Sequence, residues 1–283
     1  MKDEHHRLGA HAMATEFQIF IAGTGEAKAH ACAAEALRDL ETLEAELSRF
    51  RDGSDISRLN HLAPGESTPI GEATFDCISL AKDVHSATNG AFDITIGPLL
   101  AVLTNPDHSP RQPSQSELNR AREAIGIDKI ILTPETLEAS VTGKDVWLDL
   151  GGLGKGYALD QMASILKESG IDNALLDAGG STLLAFGEGP SGDGWPVGTG
   201  EPEIPGITLK DQSLSGSGFT ERGEHIIDPR GGLRVTAKKK NAWALAPFAA
   251  LADALSTAFL VMNSGEITAF CSNHDDIEAI LPA

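Results

Sequence analysis

Asp145-Val-Trp-Leu-Asp-Leu150, Gly151-Gly-Leu-Gly-Lys-Gly156 and Tyr157-Ala-Leu-Asp-Gln-Met-Ala-Ser-Ile-Leu-Lys167 follow one another without a break in the middle of the chain. Val146, Trp147, Leu148 and Leu150 predict a strand. Ala158, Met162, Ile165 and Leu166 fall at i, i+4, i+7 and i+8, which predicts a helix with one apolar face, closed by Gly170. A second strand is expected at Asn173-Ala-Leu-Leu-Asp177, ending in Gly179-Gly180. A glycine-rich turn at a helix start offers N–H groups and the positive dipole end to a phosphate. This turn is not a P-loop, because Asp149 and Gly156 stand where that motif needs Gly and Ser or Thr. Nor is it the dinucleotide fingerprint, because Gly156 follows Gly152-Leu-Gly154 one place early. Two readings stay open: a phosphate cradle, or a plain tight connection between strand and helix.

Toward the N-terminus, Phe17–Ile21 reads as a strand, and residues 26–48 as a long helix striped by Ala33, Ala36, Leu37, Leu40, Leu43 and Leu47. Residues 1–12 are polar and expected to be loose, with His5, His6 and His11 in solvent. A short helical turn capped by Ser54 or Asp55 is expected in the polar loop 48–60. A helix over 72–88, with a structural His85, stops at Asn89-Gly90. Ala91–Pro98 is a short glycine-bounded segment, and 104–114 a Pro- and Ser-rich loop. A helix over 115–125, capped from Ser114 or Ser116, precedes a strand at Ile130–Leu132. Toward the C-terminus, strands are expected at Thr182–Phe186, Trp195–Val197, around Ile207 and Leu214, before Asp228, and at Ala242–Ala246. The Asp228-Pro229 pair predicts a turn, and Lys238–Lys240 a solvated hairpin end. A helix over 250–262, closed by Ser264-Gly265, precedes a last strand at 277–281. Strands and helices mix without strict alternation, which points to α+β or mixed α/β.

The net charge of −19 argues against nucleic acid or an anionic membrane surface as partner. A protein this acidic needs a cation to hold a phosphate-bearing ligand. Cys32, Cys77 and Cys271 are odd in number and far apart, so buried thiols are expected rather than a metal site or disulfides. No run has the length of a membrane span. The N-terminus has no apolar leader region; the chain would be cytoplasmic on that ground, or periplasmic or membrane-associated if a leader has been removed.

Asp253 and Thr257 stand at i and i+4 on an otherwise apolar helix. A carboxylate and a hydroxyl buried together need partners. A hard cation such as Mg2+ would satisfy both. Alternatively, Asp253 complements the helix dipole and Thr257 bonds back to a carbonyl. His225 before Ile-Ile-Asp-Pro is either structural or catalytic, and Asp93 either bonds a ligand or caps a turn.

Taken in order, these stretches resemble one family, the flavin transferases of the ApbE type (FAD:protein FMN transferases). The stretches are Met13-Ala-Thr, Leu47-Ser-Arg-Phe-Arg-Asp-Gly-Ser-Asp-Ile-Ser-Arg-Leu-Asn60, Gly90-Ala-Phe-Asp-Ile-Thr-Ile-Gly-Pro98 and Asp149–Asp160. Asp177-Ala-Gly-Gly180, Gly216-Ser-Gly218, His225-Ile-Ile-Asp-Pro-Arg230 and Ala252–Ala258 complete the set. The resemblance covers nearly the whole chain, 1–283 as a single unit. It implies a T-fold-like α+β fold, a large mixed domain and a smaller one with FAD in the cleft between them. It also implies FAD contacts at Met13, Phe50, Ala91, Phe92, Asp93, Asp149, Lys155 and Ile226. The implied Mg2+ ligands are the Gly152 carbonyl, Asp253 and Thr257, and His225 is the implied base, with Asp253 the alternative.

The implied reaction transfers FMN from FAD to a Thr or Ser hydroxyl of an acceptor flavoprotein through a phosphoester and releases AMP. An FAD hydrolase and a non-catalytic flavin-binding protein are the competing expectations. Three departures bear on acceptor docking and location: Gly231 stands where the family often has Thr, the loop before His225 is short, and the N-terminal residues do not read as the lipoprotein leader common in the family, as would also hold for a mature form with its leader removed.

Overall fold

Side-chain periodicity and helix caps divide the chain into the following elements. The computed structural model describes residues 5–105, 109–201, 204–218, 226–235 and 241–282. β1 (His5–Ala12) and β2 (Thr15–Ala22) form a hairpin, followed by α1 (Glu26–Leu47) and α2 (Asp55–Leu59). Then come β3 (Ser67–Pro69), α3 (Glu72–Ala87), α4 (Gly97–Leu103), α5 (Gln115–Ala124), β4 (Ile130–Thr133) and β5 (Glu138–Val141). α6 (Gly154–Glu168) leads into β6 (Ala174–Ala178), β7 (Thr182–Phe186), β8 (Trp195–Val197), β9 (Ile207–Leu209) and β10 (Gln212–Gly218). β11 (Ile227–Asp228), β12 (Leu233–Arg234), β13 (Asn241–Ala246), α7 (Ala249–Val261), α8 (Ser264–Ser272) and β14 (Glu278–Ile280) complete the chain. The architecture is α+β.

The main sheet has seven strands in the order β1-β2-β6-β7-β10-β13-β14, with every pair antiparallel. Its two faces separate by period 2. Along β13, Ala242, Ala244 and Ala246 join the large core shared with α1, α6 and α7, while Trp243 and Leu245 point to the other face. There they meet Trp195 of β8 and Leu209 of β9. Both faces of β7 and β13 are therefore covered, and every residue of each strand is buried. Alanines on β13 and at Ala249, Ala250, Ala252, Ala254 and Ala258 of α7 leave little side-chain bulk between helix and sheet, so the two approach closely. A smaller sheet, β3-β5-β4, contributes Ile130, Ala139 and Val141 to the same core.

Several sequence expectations hold, and others are corrected. Ser54 caps α2 through the Ser57 N–H, and Ser114 forms a capping box with Glu117. Asp228 Oδ1 accepts the Arg230 N–H, which makes the expected turn. Residues 5–12 are not loose: they form β1, paired along their whole length with β2. His6 Nε2 lies 3.1 Å from the Thr24 carbonyl. Ser264-Gly265 does not close a helix. Asn263 caps α8 with Glu266 in a capping box, so these residues open one. The glycine-bounded segment runs into α4, with Pro98 in its first turn, where a missing N–H costs nothing. The stretch 146–150 is not a strand and makes only an isolated parallel bridge between Trp147 and Ile96. The expectations at His225 and Lys238–Lys240 lie outside the described residues.

The contact between α6 and α7 positions the site. At Gly156 a Cβ would sit 2.2 Å from the Ala249 carbonyl oxygen, so only glycine allows this approach. One turn further along α6, the two carboxylate oxygens of Asp160 accept the N–H groups of Ala249 and Ala250 at 2.7 and 2.8 Å. A side chain of α6 thus caps α7, whose own N-cap, Phe248, offers no side-chain acceptor. Burial pushes the Asp160 carboxyl up to about 6, and the two backbone N–H groups offset part of that rise. Because its pKa is higher folded than unfolded, Asp160 favours the folded state most at acid pH, and that contribution is lost as pH rises through about 6. We therefore expect the stability difference between wild type and D160N to move by about 2 kcal/mol in the variant's favour from pH 4 to pH 7. Urea unfolding across that range checks it; a pH-independent difference contradicts the assignment.

Candidate active site

The glycine turn is held from both sides. Leu148 exchanges both of its backbone groups with one side chain: its N–H donates to Asn60 Oδ1 at 2.7 Å, and Asn60 Nδ2 donates to its carbonyl at 3.0 Å. The neighbouring groups bond to the 94–97 segment, Asp149 N–H to the Ile94 carbonyl at 2.7 Å and Gly97 N–H to the Trp147 carbonyl at 3.1 Å. These partners explain why an alternating apolar stretch is extended without joining a sheet.

The turn's own amides are largely consumed within the protein. Gly151 N–H donates to Asp149 Oδ1, Leu153 and Gly154 both donate to the Leu150 carbonyl, and Gly156 donates to Asp253 Oδ2. Of the two readings of this turn, the amide cradle for a phosphate is therefore the less well supported. What the turn brings to the site is backbone from Gly152. A Cβ there would lie 3.0 Å from Thr257 Oγ1 and 3.3 Å from Phe92 Cε2.

Asp253 is 2% exposed. Around its Oδ1 stand Lys155 Nζ at 3.4 Å, Thr182 Oγ1 at 3.4 Å and Ser215 Oγ at 3.3 Å. Its Oδ2 accepts Gly156 N–H at 3.3 Å. Thr182 and Ser215 also hydrogen-bond each other at 2.9 Å, bridging β7 and β10 beneath the carboxylate. Thr257 Oγ1 contacts Ser217 Oγ at 3.1 Å and its own helix's Asp253 carbonyl at 3.5 Å, so the back-bond considered from the sequence is present as a long contact. Both Asp253 oxygens thus have polar neighbours, all at or beyond 3.3 Å. Among the described residues no cluster of three or more His, Cys, Asp or Glu side chains gathers as a soft or transition-metal site would require. The Gly152 backbone lies against the Thr257 hydroxyl, and the buried Asp253 carboxylate stands one helical turn before Thr257 on the same face of α7, so the groups gathered here offer oxygen donors. They fit a hard divalent cation.

A family model described as the ApbE family matches residues 13–281. This chain belongs to the ApbE family. Among its relatives, a protein of Klebsiella pneumoniae (strain 342) named FAD:protein FMN transferase is 28% identical over 275 residues, covering 90% of this chain and 78% of the relative. A Haemophilus influenzae protein of the same name is 29% identical over 244 residues, 79% of this chain and 70% of its own. Among solved structures, a mutant of the flavin transferase ApbE from Vibrio cholerae superposes with a TM-score of 0.88 at 25% identity, over 98% of this chain and 93% of the other. The ApbE protein of Thermotoga maritima gives 0.87 at 25%, over 98% and 94%.

The other positions that the ApbE resemblance singles out fall into three groups. Ala91 and Phe92 are buried beside the turn, and Ile226 is buried in the same core. Asp93 turns inward: its Oδ1 accepts the Thr95 N–H and hydroxyl at 2.8 and 2.6 Å, and its Oδ2 lies 3.4 Å from His85 Nδ1. Met13 and Asp149 are each tied to the loop that carries Phe50, Met13 through Glu44 and Arg51 and Asp149 through Arg49. Met13 and Ala14 both have positive φ, 49° and 59°, a tight hairpin turn built without glycine or asparagine. Glu44 holds it through the Met13 N–H at 2.8 Å and reaches Arg51 at 3.7 Å. Arg49 pairs with Asp149 at 3.0 Å.

Asn60, Thr182, Ser215, Ser217 and Asp160 carry this geometry without having been singled out by sequence reasoning. Asn60 ends a quoted motif but nothing in its spacing marks a clamp. The hydroxyls lie on strands far from α7 in sequence. We expect N60A to lose about 2–3 kcal/mol, because two backbone groups of Leu148 are left without partners. Denaturant unfolding measures it; a loss below about 0.5 kcal/mol contradicts the clamp.

Proposed function

We propose that this protein is an FAD:protein FMN transferase that works with Mg2+. The observation that carries the reading is the Gly152 backbone against the Thr257 hydroxyl, with Asp253 one helical turn earlier on the same face of α7 and Lys155 3.4 Å from its carboxylate, in a chain whose relatives bear that name. Gly152 through its carbonyl, Asp253 and Thr257 would hold the cation. When bound, Mg2+ neutralises charge on the pyrophosphate oxygens. That also resolves the electrostatic difficulty of holding a pyrophosphate in a chain with net charge −19.

The chain's own residues do the rest. Lys155 reaches the site from the first turn of α6 and supplies a positive charge for phosphate oxygens. Phe50, 78% exposed, offers a ring face to an aromatic ring of the substrate. The acceptor hydroxyl attacks the FMN-side phosphorus, the bond to the bridging oxygen breaks, and AMP leaves. His225 is the proposed base for the hydroxyl proton. Asp253 suits that role less, since both its oxygens already face donors. Among the described residues no helix is long and apolar enough to cross a membrane, and the proposed partners are FAD and an acceptor flavoprotein with a Thr or Ser site.

Incubation with FAD, Mg2+ and an acceptor domain, followed by intact mass, tests the reading. Covalent addition of FMN with release of AMP is expected. Free FMN and AMP with no adduct would mean hydrolysis instead, and FAD bound but unchanged would mean storage. D253N and T257V are each expected to cut the rate at subsaturating Mg2+ by about tenfold or more and to shrink the Mg2+-induced rise in melting temperature. Unchanged Mg2+ dependence in both variants would remove these residues from the metal site.

A further inference from the structure

Arg49 lies just beyond the end of α1, in the loop that α2 follows. Its guanidinium carbon sits 4.1 Å from the centre of the Phe50 ring and 5.3 Å from that of Trp147. Its Nε also pairs with Asp149 Oδ2 at 3.0 Å, and both side chains are largely shielded from solvent. The other Asp149 oxygen accepts the Gly151 N–H at 2.8 Å. One planar cation therefore touches three groups: an otherwise exposed aromatic, the carboxylate that holds the start of the glycine turn, and the indole of the segment clamped by Asn60.

The loop carrying Arg49 is itself tied down. Ser48 Oγ accepts the Phe50 N–H at 3.3 Å, and Ser54 Oγ donates to the Ser48 carbonyl at 2.6 Å. A large exposed ring would ordinarily sample several rotamers, and ordering it on binding costs free energy. Stacking on a guanidinium that is already ion-paired removes part of that cost before the ligand arrives.

We propose that Arg49 is a positioning residue for FAD: it presents the Phe50 ring and the Asp149 carboxylate in their binding arrangement. The proposal rests on the transferase reading above. It follows that Arg49 acts on FAD affinity and not on the bond-breaking step. Lysine cannot replace it, because an ammonium is neither planar nor able to stack while pairing.

FAD binding by flavin fluorescence and steady-state kinetics of wild type, R49K, R49Q, D149N and R49Q/D149N test the proposal. R49Q is expected to weaken FAD binding and raise KM by about tenfold, with kcat within about twofold. R49K is expected to fall close to R49Q. The double variant is expected to lose less than the product of the single losses, since the two side chains act as one unit. Wild-type FAD affinity in R49Q, full rescue by R49K, strictly multiplicative losses, or a fall in kcat with KM unchanged would each overturn it. Wild-type protein that takes up no FAD would overturn the transferase reading and this inference with it; a wild type that binds while R49Q binds equally well overturns this inference alone.

Discussion

The arrangement depends on how closely α6 and α7 meet. Residue 152 and residues 253 and 257 are about a hundred positions apart, yet the Gly152 backbone lies against the Thr257 side chain. That distance is set one turn away, where Gly156 packs on the Ala249 carbonyl and Asp160 binds the first amides of α7. A larger residue at 156 would force the helices apart and separate the two halves of the site. The alanine-rich face of α7 against β13 serves the same end, because it seats the helix deep enough for Asp253 to reach Thr182 and Ser215 on the sheet. Helix packing and site geometry are therefore one constraint.

The acidic composition acquires a structural use. Carboxylates repeatedly hold backbone amides at junctions: Glu44 at Met13, Glu46 at Thr74, Asp55 at Gly71, Asp149 at Gly151, Asp160 at α7 and Asp177 at Gly180. A charged acceptor makes a stronger bond to an N–H than a neutral one, which suits loops with no ladder of their own. Among the described residues Lys155 and Arg49 are the cations that pair with carboxylates of the turn and of α7. On the proposed reading a divalent ion supplies the remainder.

Much of this was legible in the residues. The stripes of α1 and α6, the helices α3 and α7 and the caps at Ser54 and Ser114 depend on local spacing, and they form as expected. The pair at Asp253 and Thr257 could be read because i and i+4 share a helix face. What was not legible depends on partners distant in sequence. β1 alternates only weakly, with apolar Leu8, Ala10 and Ala12 between Arg7, Gly9 and His11, and its extent is set by backbone pairing with β2. The 146–150 stretch has the right alternation for a strand but meets a side chain, Asn60, where a neighbouring strand would be. Ser264-Gly265 reads as a stop and hides α8, although Asn263 and Glu266 stand at capping-box spacing. The glycine turn suggested an amide cradle, but amides can be counted as available only when their acceptors are known, and Leu150, Asp149 and Asp253 take most of them.

The central claim is that one cation site is divided between the turn before α6 and the second and third turns of α7. Crystals of the wild-type protein grown with FAD and Mn2+ in place of Mg2+, measured at the manganese edge, address it directly. The account predicts an anomalous peak within coordination distance of the Gly152 carbonyl, an Asp253 carboxylate oxygen and Thr257 Oγ1 together. A peak placed elsewhere, or FAD bound in order with no peak at that point, would contradict it.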